Sequence, residues 1–156
     1  MLYILLTLIL PFLVSIIKAN QVYPTCVNEW YDPKEDYKQE MLCRAYRFDF
    51  DGYKTNSMYH FMDCTFIKMG WMDKDTRAWN VQKLAADMQA AGFPDRKAEF
   101  IEIEGWCKLE FRNELGAISY HRCLESSRKG IREFHEMIRK RETEFFSKNQ
   151  CQGIKL

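Results

Sequence analysis

The stretch SYHRCLESSRKG, residues 119–130, sets a histidine two places before a cysteine and two serines shortly after it. Three chemistries fit those letters. Cys123 could be a nucleophile with His121 as its base, a metal ligand, or half of a disulfide. The choice separates an enzyme, a metalloprotein and a stapled scaffold, and the rest of the chain decides it.

Compartment comes first. Residues 1–19, MLYILLTLILPFLVSIIKA, hold one positive charge, Lys18, and no acidic residue. The apolar run, broken at Pro11, is shorter than the ~20 residues a spanning helix needs. The small residue Ala19 stands at the expected cleavage position. The segment reads as a secretory signal peptide without a charged leading region, an uncleaved anchor being the alternative. The expected organisation is therefore a signal peptide over 1–19 and one domain over 20–156, secreted from the cell.

That domain contains six cysteines: Cys26, Cys43, Cys64, Cys107, Cys123 and Cys151. An even set in a secreted chain of this size implies disulfides. Structural metal sites usually use closely spaced pairs such as C-x2-C. Here the nearest two cysteines, Cys107 and Cys123, are sixteen positions apart. A nucleophile would need an unpaired thiolate. Cys123 is thus read as a staple, and no metal, cofactor, catalytic residue or enzymatic activity is expected.

The chain carries 23 basic and 22 acidic residues, so the two balance once Lys18 is removed. The locally basic run RKGIREFHEMIRKRE is interrupted by Glu133, Glu136 and Glu142. It reads as a solvated helix face, with no nucleic-acid or membrane partner implied, and the protein is expected to be a monomer.

Strand signals are poor and helix signals recur. Asp32-Pro33 suggests a capped helix over 33–48, and FDFDGYKTN, residues 48–56, a loop. Asn56 is placed to cap a central helix over 57–69, stopped at Gly70. Further helices are expected over 76–91, 95–103, 106–115 and 117–127, with a last one over 131–146 after Gly130. Individually short, they depend on packing and the staples. The content of 15% aromatic residues and eight methionines suits either a packed core or an adaptable cavity. Such a cavity would be lined from the central and last helices by Met58, Phe61, Met62, Phe134 and Ile138. On the last helix Glu142 falls inside the apolar stripe of Ile131, Phe134, Ile138 and Phe145, with His135 beside it. An inward carboxylate could meet a cationic ligand, or sit at a rim and pair with Arg139.

The order and surroundings of these cysteines resemble the D-seven salivary proteins of blood-feeding flies, a branch of the insect odorant-binding-protein superfamily. MLCRAYRF at Cys43, HFMDCTFIKMGWMD at Cys64, SYHRCLESS at Cys123 and the terminal Cys151 carry the resemblance. Nearly the whole secreted part is covered, at the length of the short forms. Ordinary odorant-binding proteins differ in keeping their second and third cysteines on one helix. The resemblance implies an all-α fold with an internal ligand pocket, and disulfides pairing Cys26 with Cys64, Cys43 with Cys151 and Cys107 with Cys123. It also implies a salivary protein that sequesters small host mediators of haemostasis and inflammation, either biogenic amines or eicosanoids. General carriage of odorants or other hydrophobic ligands, and inhibition through the surface without a pocket, are the alternatives.

The family's site residues map onto this chain with substitutions. The acidic pair after the fifth cysteine falls on Arg139 and Glu142. The arginine three after the second cysteine falls on Tyr46, with Arg47 next to it. The tyrosine two before the fifth cysteine falls on His121, with Tyr120 adjacent, and the histidine near the third cysteine is His60. With Phe134 and Ile138 these form the candidate ligand site. One carboxylate against Arg47 and Arg139 favours an anionic lipid head at least as much as an amine.

Overall fold

The computed structural model describes residues 21–36, 40–51 and 55–154, and of Asn113 the backbone alone. The expected signal peptide lies outside the described residues. Among the described residues, eight α-helices account for the fold: α1 (Val22–Trp30), α2 (Glu40–Arg47), α3 (Asn56–Lys68), α4 (Val81–Ala90), α5 (Lys97–Phe111), α6 (Ala117–Leu124), α7 (Arg128–Arg141) and the single turn α8 (Thr143–Phe146). A 3-10 turn over Arg112–Glu114 links α5 to α6. The expected all-α class holds. Cys26–Cys64, Cys43–Cys151 and Cys107–Cys123 are bonded, in the pairing that the family resemblance implied.

The central helix is α3, packed against α1 and α6. Its Ser57, Met58, Phe61, Met62, Cys64, Thr65 and Phe66 are all buried. Thr55, rather than Asn56, caps it by accepting from the Met58 N–H at 3.3 Å. Gly70, at φ +75°, then turns the chain through the left-handed region that glycine adopts without Cβ strain. Trp71 follows into the core beside Phe66 and Phe134.

Helix boundaries depart from the sequence-based expectations wherever a side chain reached past its neighbours. Asp32-Pro33 opens a turn, because Asp32 accepts from the Lys34 N–H at 2.8 Å. The carboxylate of Asp36 caps α2 instead, through Glu40 and Met41 N–H groups at 3.1 and 3.0 Å. The helix expected from residue 76 begins only at Val81. Asp73 holds residues 75–76 in a turn through two backbone N–H bonds, Met72 and Trp79 form an isolated bridge, and Asn80 caps α4. Gly105 does not divide α5, since Phe100, Ile103 and Cys107 bury one continuous face. That burial outweighs the ~1 kcal/mol helical cost of glycine. The last helix starts earlier, with Ser127 capping Gly130 at 2.9 Å, and breaks at Glu142.

Candidate functional site

Five of the nine candidate site residues, Tyr46, His121, Phe134, Ile138 and Arg139, converge on one cluster whose centre is buried and whose edge, at Arg139, is exposed. His121 of α6 and His135 of α7 meet with their Nε2 atoms 2.8 Å apart. A single proton between those atoms makes one neutral ring the donor and the other the acceptor. Burial, reinforced by His135, holds His121 down to about 3. Burial and then Arg139 hold His135 down to about 4. The pair is uncharged at neutral pH. The other nitrogen of His121, Nδ1, is buried with no hydrogen-bond partner among the described residues, 3.5 Å from Glu125 Oε1.

The Phe48 ring fills the space beside this pair. It lies parallel to His135 at 3.9 Å and stacks on Phe146 at 5.4 Å. The Arg139 guanidinium covers both Phe48 and Phe146, at 5.0 and 5.6 Å from their centroids. It also donates to the Tyr46 carbonyl at 3.4 Å. Tyr46 packs on Phe146 at 5.6 Å, and Phe134 and Ile138 are buried behind. Phe48 has φ +57°, a conformation rarely adopted by a bulky residue. Tertiary packing holds the ring there.

Glu142, fully buried, has a structural partner. Its Oε2 accepts from the Tyr23 backbone N–H at 2.7 Å, so it caps the start of α1 from the far end of the chain. Burial raises its pKa above the usual carboxylate value, against the lowering effect of the Tyr23 and Val22 N–H groups and Arg141. Its Oε1 lies 3.8 Å from Arg141 Nε.

The remaining candidates lie apart from the stack. Tyr120 is buried, stacks on Trp79 at 4.9 Å and donates to the Arg77 carbonyl at 2.5 Å. Arg47 is exposed at the end of α2. His60 is exposed, stacks on Trp30 at 4.6 Å and lines a shallow cavity of about 320 Å³ with Glu29, Tyr31, Glu35 and Asn56.

A larger groove, of about 770 Å³, opens beside α3 and α6. Phe50, Tyr59, Phe111, Leu115 and Ile118 give it apolar walls, and Arg77 and Arg122 supply cationic groups. Asp63 braces one side: its Oδ2 accepts from Arg77 at 2.7 Å and its Oδ1 from the Ala117 N–H at 3.1 Å. Arg77 also donates to the Leu115 carbonyl at 3.0 Å. Gly116 permits this close approach, since a Cβ there would stand 2.5 Å from Arg77 Nη2. Arg122 is freer. It lies over the Phe111 ring at 5.8 Å and pairs at 3.3 Å with exposed Asp51. Neither this groove nor the shallow cavity is lined by Met58, Phe61, Met62, Phe134 or Ile138.

Sequence reasoning passed over the groove residues, although one signal was available. On α6, Ala117, Tyr120, Cys123 and Leu124 turn inward, which leaves Ile118 and Arg122, four apart, on the outer face. Arg77 and Phe48 had no local signal, because both hold left-handed backbone set by distant contacts.

No protein-family model matches the chain. Over 151 residues, 97% of its length and 96% of the relative's, the chain is 63% identical to a protein of Aedes aegypti called neutrophil recruitment protein. Over 111 residues, 71% of its length and 74% of the relative's, it is 30% identical to the short form salivary protein D7S1 of the same mosquito.

Proposed function

The chain belongs to the D-seven family of salivary proteins, and from that premise we propose that it is a secreted salivary binding protein that sequesters an amphipathic host mediator with an anionic head, of eicosanoid type, in the groove beside α6. The single observation carrying this reading is the composition of that groove, with apolar walls of Phe50, Phe111, Leu115 and Ile118 and the Arg122 guanidinium among them. The exposed Arg122–Asp51 pair is the kind that contributes little stability, so a ligand carboxylate can replace Asp51 at small cost. A bidentate guanidinium–carboxylate contact would then orient the head, while the tail covers the aromatic walls. Sequestration needs tight one-to-one binding and abundance, with no turnover.

Amine binding has less support. The acidic pair that the family resemblance associates with amines is reduced to Glu142, and that carboxylate already serves the first turn of α1. A second reading, action on neutrophil recruitment through the protein surface, is favoured by the 63% identity to the relative of that name.

Calorimetry of the disulfide-bonded protein against a cysteinyl leukotriene, a thromboxane analogue, serotonin and histamine tests the first reading. An eicosanoid should bind one to one, and Arg122→Ala should weaken it. Tight serotonin binding that is lost in Glu142→Gln, with no eicosanoid binding, restores the amine reading. No binding by any of the four, together with neutrophil attraction by the protein in a migration assay, favours the surface reading.

A further inference from the structure

Five large apolar side chains are exposed among the described residues, and three of them, Ile101 (46%), Trp106 (49%) and Leu109 (76%), project from α5. The opposite face of the same helix buries Phe100, Ile103 and Cys107 against the core. At 100° per residue, Ala98, Gly105 and Leu109 lie at the centre of the outward face, with Ile101 and Trp106 flanking them. Monomeric surfaces seldom gather their apolar side chains in one place without a partner. The groove of the proposed function does not include these residues.

We propose that this face of α5 is a homodimer surface, on which a second copy of the chain packs antiparallel across Gly105. The order of residues about Gly105 is self-complementary, as a twofold contact requires. A twofold placed there brings Ile101 level with Leu109 of the other copy, and Glu102 with Lys108. No like-charged residues of α5 come level in this arrangement. In a parallel pairing, by contrast, Glu102 and Lys108 would each meet their own copies. Gly105 supplies the close approach: a Cβ there would meet nothing within 4 Å among the described residues, which leaves room above it for a second backbone. One helix face of 15 residues makes a small interface, and such interfaces give weak, concentration-dependent association.

Sedimentation velocity of the disulfide-bonded protein across the micromolar range tests this. The wild type should shift from monomer to dimer with concentration. Trp106→Glu/Leu109→Glu should remain a monomer with an unchanged helical circular dichroism spectrum. Gly105→Leu is the diagnostic variant. It should raise the thermal midpoint of the monomer, because leucine is the better helix former, while weakening dimerisation at least tenfold. Glu102→Lys should also weaken the dimer, and Glu102→Lys/Lys108→Glu should restore it. A wild type that stays monomeric at every concentration overturns the proposal, whether or not α5 then holds the protein to lipid vesicles or to another protein. A dimer unaffected by Gly105→Leu overturns it equally.

Discussion

The stack of Phe48, His121, His135, Arg139 and Phe146 and the groove beside Arg122 are built from the same kinds of side chain, aromatic rings and a guanidinium, and differ in what occupies the space between them. In the stack, the protein's own Phe48 lies flat on His135 under the Arg139 guanidinium. In the groove, Arg122 covers the edge of an open volume of about 770 Å³, lies over the Phe111 ring and pairs with an exposed aspartate. A guanidinium over a ring is therefore no sign of a ligand site by itself. What distinguishes the two regions is whether the chain has supplied the ring. Substitutions in the stack should act on stability, and substitutions in the groove on binding.

The largest effect is expected at Phe48. Phe48→Ala removes a buried ring that touches both histidines' surroundings and should cost ~3–5 kcal/mol in urea unfolding. Phe48→Gly should cost ~1 kcal/mol less than alanine, since φ +57° strains any residue with a Cβ. If Phe48→Ala leaves stability unchanged, the stack is not part of the core and the contrast fails.

Acid should act on the same region. The folded values of about 3 for His121 and about 4 for His135 lie below the ordinary 6.5. The stability contributed by the neutral pair is therefore full above pH 6.5 and is lost as pH falls through those folded values. A loss on the order of 3 kcal/mol for each histidine is expected by about pH 4.5. Urea midpoints followed against pH should show a flatter dependence in His121→Asn/His135→Asn than in the wild type.

Glu142 has the opposite sign. Its raised folded pKa means that its ionised form is disfavoured in the fold. Relative to Glu142→Gln, the wild type should gain stability as pH is lowered from neutrality through the folded value. At neutral pH, Glu142→Ala should cost roughly 1–3 kcal/mol, because the Tyr23 N–H is left buried without an acceptor. Glu142→Gln keeps an acceptor and should cost less. Equal losses for the two variants would show that the carboxylate does not cap α1.

These residues also show how far the sequence could be read. The helical class, the central helix and its stop at Gly70 follow from local pattern. The disulfide pairing followed from family resemblance, and no local pattern supplied it. Helix α1 was missed because its N-terminal cap is Glu142, 119 positions away. The inward setting of Glu142 was legible from the apolar stripe, but its partner was not. Likewise His121 and His135 were both noticed, yet nothing in their spacing placed Phe48 against His135 or under Arg139. Local signals find elements. The space left among elements depends on which side chains fold back into it.

The smallest expected effect on stability, and the sharpest on function, is at Arg122. The side chain is 46% exposed and its Asp51 partner 66%, so Arg122→Ala should change unfolding by no more than ~0.5 kcal/mol. The same change removes the groove's freest cation and should weaken an anionic eicosanoid about tenfold, the loss of one charge-assisted contact of roughly 1.4 kcal/mol. Arg122→Lys should recover only part of that affinity, because an ammonium cannot make the two parallel bonds of a guanidinium. Asp51→Asn should strengthen binding by releasing Arg122. Calorimetry paired with urea unfolding on the same preparations reads both quantities. If Arg122→Ala leaves affinity intact while Arg139→Ala abolishes it, the ligand enters the stack after displacing Phe48, and the assignment of roles between the two regions is reversed.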